Sequence, residues 1–145
     1  MSQYELGFAS VAAAAAAPYQ ELRTTSTKPV TVLEVGFWTT AATSSSIGFG
    51  RPATVGTATG TTAFQAGKAG DAAGVTTGAS TWSAAPTAPT VFLRRMVTQA
   101  VIGAGAIWTW APGRLTITVS QSLVLWNFGG AAGSILNGYF VIDEL

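Results

Sequence analysis

Between residues 30 and 39 the side chains alternate with a period of two. Thr31, Leu33, Val35, Phe37 and Thr39 share one side of an extended chain, and Val30, Val32, Glu34, Gly36 and Trp38 share the other. The pattern predicts a strand with Leu33, Val35 and Phe37 as its core-facing set. A second alternation sets Leu115, Ile117 and Val119 against Thr116, Thr118 and Ser120, and predicts a half-buried strand over 115–119. Shorter β-branched and aromatic runs predict strands over 19–25, 47–51, 91–97, 106–110, 122–128 and 139–145. Turn chemistry separates them: Gly103-Ala104-Gly105, Ala111-Pro112-Gly113, Ser120-Gln121, and the glycine-rich stretch 129–133. Many short strands with Gly and Pro between them predict an all-β protein. A jelly-roll-like β-sandwich of short antiparallel strands, with two sheets of about four strands each, fits the count. No second composition block has a core of its own, so 1–145 reads as a single domain.

Two regions depart from this rhythm. Residues 1–18 carry the alanine run Ala12 to Ala17, which suits either a short helix or an extended arm lying on a neighbour. The segment is expected to form an N-terminal arm outside the main core. Residues 52–89 are rich in Gly, Ala, Thr and Ser and poor in large apolar side chains, Phe64 and Trp82 excepted. They predict a long excursion with short strands near 59–64, pinned to the core by those two aromatics or carrying partner contacts.

Charge changes the picture most. Charged residues make up 9% of the chain, against roughly 25% in an average soluble domain. The hydrophobic fraction is 48% and the mean hydropathy +0.40. No window approaches the roughly 20 apolar residues that span a bilayer. Glu5 is the only charge near the start, so no secretory leader is expected. A surface this poor in charge is expected to be partly covered by neighbours. With seven basic and six acidic residues, net charge is +1 and argues against nucleic acid as a partner. The one basic pair, Arg94-Arg95, reads as strand positions facing opposite ways.

The chemistry-bearing residue types are scarce. There is no Cys and no His, which removes disulfides, thiolate metal sites and the commonest general base. Neither Gly103-x-Gly105 nor the 129–133 cluster has the context of a phosphate loop. Asp143-Glu144 diverge in a strand, and a calcium site would need distant Glu21 or Glu34. Glu5, Glu21 and Glu34 are equally suited to pair with arginines across the sheets. Scattered carboxylates give little support to a glycosidase pair. No catalytic residue, cofactor or metal is therefore expected. Trp108 and Trp110 share a strand face, and Trp38, Trp82 and Trp126 add to them. They suit a core, the buried centre of a subunit interface, or a sugar-stacking platform. Trp38, Phe64, Trp82, Trp108 and Trp110 are the candidate interface residues.

The segment Ser122-Leu123-Val124-Leu125-Trp126-Asn127-Phe128-Gly129-Gly130 and the stretch 139–144 carry a resemblance. With Gly48-Phe49-Gly50-Arg51-Pro52-Ala53 and Phe92-Leu93-Arg94-Arg95, the chain resembles a family of small virion proteins of tailed bacteriophages over about 5–144. The resemblance implies a jelly roll or related sandwich acting as a capsid decoration (cement) protein on the virion exterior. The implied partners are the major capsid protein and other copies of the chain, with a homotrimer suggested by the charge deficit and surplus aromatics. A tail-associated or fibre protein with a carbohydrate- or receptor-binding sandwich is the alternative. No catalytic, cofactor or metal residue comes with the resemblance.

Overall fold

The computed structural model describes residues 2–145. Two antiparallel sheets of six strands each pack face to face as a β-sandwich. The first holds β1 (Ser2–Ala9), β3 (Val30–Thr39), β6 (Gln65–Ala66), β9 (Gly105–Thr109), β10 (Thr116–Ile117) and β12 (Leu136–Glu144). Its order is β6-β1-β12-β3, with β9 and β10 both pairing the far side of β3. The second holds β2 (Ala17–Arg23), β4 (Ser46–Gly50), β5 (Thr57–Ala63), β7 (Thr77–Ala84), β8 (Phe92–Val97) and β11 (Ser122–Asn127). Its order is β5-β7-β2-β11-β4-β8.

The core lies between the sheets and centres on Phe140. Its ring stacks with Phe49 and Phe64 and tilts against Phe8, with centroids 6.3, 6.2 and 4.9 Å away. Tyr19, Leu22, Val35, Phe37, Ile47, Leu123, Leu125 and Ile142 surround them, all buried. Each such side chain contributes about 2 kcal/mol through its removal from water.

The segment expected as an arm is an integral strand. β1 pairs β12 from Ser2 to Ala9, and Tyr4 and Leu6 join the core. Tyr4, Leu6 and Phe8 alternate with Glu5 and Gly7, a three-tooth pattern overshadowed by the alanines beside it. The alanine run forms no helix. It carries the chain from one sheet to the other, turning at Ala16 with φ of 51° and entering β2 at Ala17. Buried Asn127 holds this crossing, its Nδ2 donating to the carbonyls of Ala14 (2.9 Å) and Ala131 (2.8 Å). Small side chains let the backbone approach the amide that closely.

β3 follows the predicted bounds but not the predicted phase. A bulge opposite Val141 and Ile142 inserts Leu33, so Val30 and Val32 point inward together with Val35 and Phe37. Leu33 is consequently half-exposed. The alternation at 115–119 is also cut short: Leu115 and Ile117 are buried, but only Thr116–Ile117 pairs with β3 and Val119 is exposed.

The excursion at 52–89 is largely ordered. β5 and β7 form a hairpin that extends the second sheet beyond β2, and β6 extends the first beyond β1. Each sheet has six strands rather than about four. Buried carboxylates tie the excursion down at its two sides. Glu21 accepts from the Gly56 amide at 3.1 Å and the Trp82 indole at 2.8 Å, and Glu144 from the Thr76 amide at 2.7 Å.

Candidate functional site

The candidate aromatics go to different places. Phe64 is fully buried between the sheets and presents no surface to a partner. Trp82 is half-buried, with its indole donating to Glu21, so it anchors the β5–β7 hairpin. Trp108 in β9 and Trp110 just past its end do share a face, and that face turns inward. Trp108 sets its edge against Phe37 at 4.8 Å, Trp110 tilts on Phe49 at 5.7 Å, and the Arg94 guanidinium covers Trp110 at 5.3 Å. They form no exposed pair of indole planes. Trp126 is buried in β11. Of the five candidate interface residues only Trp38 is exposed on the outer face of the first sheet, at 42%.

The carboxylates are spread over both sheets, with Glu5 and Glu34 in one row across the outer face of the first. Glu21 lies in the second sheet and Glu34 in the first, while Asp143 and Glu144 point to opposite faces of β12. Among the described residues there is no group of three His, Cys, Asp or Glu placed to hold a metal ion. Glu21, fully buried, accepts from Ser122 Oγ at 2.7 Å as well as from Gly56 and Trp82, and Arg23 approaches at 3.4 Å. Its acceptor capacity is used by structure. On the other sheet Tyr139 donates to Glu34 at 2.5 Å, with its ring over Gly36. That hydrogen bond, with burial and the charges of Glu34 and Glu5, pushes the Tyr139 phenol up to about 12.

The unusual surface is the side of the sandwich where β8 and β9 end the two sheets. The connection between these strands presents Val101 and Ile102 to solvent at 55% and 68% exposure. Its backbone is fastened all the same. Thr39 Oγ1 donates to the Val101 carbonyl, the Gly103 amide donates to the Thr39 carbonyl, and the Thr39 amide donates to the Ala104 carbonyl, each at 2.8 Å. Gly103 takes the left-handed conformation (φ 83°) that the reversal requires. Beside this tip, Trp38, Gly103, Gly105 and Ile107 line a shallow groove.

Several arginines carry no ion pair, and Arg51, bonded to Thr116 beside Thr31, lies at the end of β3 opposite the tip. Ion pairs among the described residues are Arg23–Glu21 and Lys28–Glu144, so Arg51, Arg94, Arg95 and Arg114 have no acidic partner. Arg95 lies over the Phe128 ring at 4.1 Å, and Arg51 reaches the Thr116 carbonyl at 3.3 Å. Sequence reasoning concentrated on tryptophan and missed Val101 and Ile102. Their signal was two β-branched residues inside a turn, where polar ones are usual.

No protein-family model, curated protein or solved structure matches the chain.

Proposed function

We propose that the chain is a non-catalytic structural protein of a virus particle, which binds the assembled capsid from outside as an oligomeric decoration. The observation that carries this reading is the fastened turn. Val101 and Ile102 are held in water by backbone bonds to Thr39, an arrangement that costs solvation and gains from a partner. A preordered tip loses little conformational entropy on docking. The strand orders β1-β12-β3-β9 and β2-β11-β4-β8 also support a jelly roll, an architecture used by capsid and lectin domains.

The test is co-sedimentation with purified capsids of the encoding virus, with copy number measured against the major capsid protein by mass spectrometry. The unmodified chain is expected to bind in stoichiometric lattice amounts, and Val101→Asp/Ile102→Asp to fold but stay in the supernatant. A few copies per particle would favour the tail-associated reading. Full occupancy by the double variant would remove the tip from the contact.

A further inference from the structure

We infer that β9 is a self-pairing edge, through which two copies of this chain join their first sheets across a twofold axis. The inference deepens the oligomeric part of the proposed function and rests on that reading for its biological setting. The phase of the β9 ladder is fixed at both ends, by the Thr39 amide on the Ala104 carbonyl and the Trp110 amide on the Leu33 carbonyl. Between them Ala106 and Trp108 bond to β3, because hydrogen-bonded residues alternate in an antiparallel pair. Gly105, Ile107 and Thr109 therefore direct their N–H and C=O groups away from β3, and all three are exposed.

The other edges carry devices that block pairing. β5 has three register shifts against β7. β8 has a bulge and carries Arg94 and Arg95. β6 and β10 are two residues long. The free backbone of β1 at Gly7 and Ala9 lies in a groove shared with Gly60, Thr62 and Ser80 of the β5–β7 hairpin. β9 pairs with β3 without a register shift and contains no charge and no proline.

Its sequence is also complementary to its own reverse. With Ile107 on the axis, Gly105 faces Thr109 of the second copy and Ala106 faces Trp108, small against large at each step. Trp38, beside Gly105 on the outer face, then covers the second copy's Thr109. A contact between identical patches closes as a dimer, whereas a threefold ring needs two different patches. The edge thus points to twofold rather than threefold association.

Light scattering on the purified chain, without capsids, tests this independently of any virion role. The expected mass at high micromolar concentration is twice 14.8 kDa. Amide exchange at Gly105, Ile107 and Thr109 should slow as concentration rises, a readout that needs no variant. Ile107→Lys places like charges across the axis and should weaken association about a hundredfold. Thr109→Pro removes an outward N–H without breaking a bond to β3, and should also give monomer with unchanged circular dichroism. A monomer at every concentration, a threefold mass, or a dimer whose β9 amides stay unprotected would overturn the inference. Capsid binding by a strictly monomeric chain would overturn it while sparing the capsid-binding part of the proposed function. A dimer that ignores capsids would do the reverse.

Discussion

Replacing Glu21 with alanine tests whether the excursion at 52–89 is held by a buried charge. The carboxylate accepts from Ser122, Trp82 and Gly56 at 2.7, 2.8 and 3.1 Å and lies 3.4 Å from Arg23. Hydrogen bonds to a charged group contribute about 1.5–3 kcal/mol each. Not all of that is lost in the variant. The Ser122 hydroxyl can rotate, half-buried Trp82 can turn its indole to water, and Arg23 is partly exposed. The Gly56 amide is buried and left without its acceptor. Relief from desolvating the carboxylate offsets a further part. The expected net loss is about 3 kcal/mol, or a fall in Tm of about 9 °C for a domain of this size. Glu21→Gln keeps the volume but turns an NH2 group toward donors, and should lose about 2 kcal/mol. Urea unfolding gives the global loss, while amide exchange at Gly56 and Trp82 fluorescence report whether the hairpin loosens first. A loss below about 1 kcal/mol for Glu21→Ala, with both local probes unchanged, would refute the assignment of Glu21 as the tether.

Other consequences can be checked separately. Gly105→Ala would drive a Cβ into the backbone carbonyl of Phe37; β9 should detach, costing about 2–3 kcal/mol and exposing Trp108, measurable by fluorescence quenching. Asn127→Ala leaves the Ala14 and Ala131 carbonyls without their donor, with an expected loss of about 2 kcal/mol by urea midpoint and faster proteolysis in the alanine crossing. Burial pushes Tyr19 up to about 12 from 10.0, and Tyr139 rises to a similar value chiefly through its bond to Glu34. Because both folded-state values are raised, the stability they contribute is fully present below about pH 10 and is lost as pH rises toward about 12. Phenolate absorbance and urea midpoints across that window should show the loss, and Tyr139→Phe should make it shallower.

The all-β class was legible because short alternating runs and turn residues report local geometry. β3 and β11 appear almost where the pattern puts them. A single inserted residue escaped it: Leu33 and Phe37 look equivalent in a strict period of two, and only pairing against Val141 and Ile142 reveals the bulge that moves Leu33 outward. β1 was hidden for a related reason, since three apolar teeth make a weak local signal. The strand forms because β12 supplies a partner along its whole length. The buried carboxylates were beyond sequence reasoning altogether. Glu21 meets Ser122, Trp82 and Gly56 from distant parts of the chain, and no spacing encodes such a meeting. The candidate site divides in the same way. The low charge was legible in the composition, and with it the expectation that some surface is covered by neighbours. That Trp108 and Trp110 turn inward while Val101, Ile102 and Ile107 face water was decided by the pairing of β9 with β3. Side-chain direction in a strand depends on register, and register is a property of two strands.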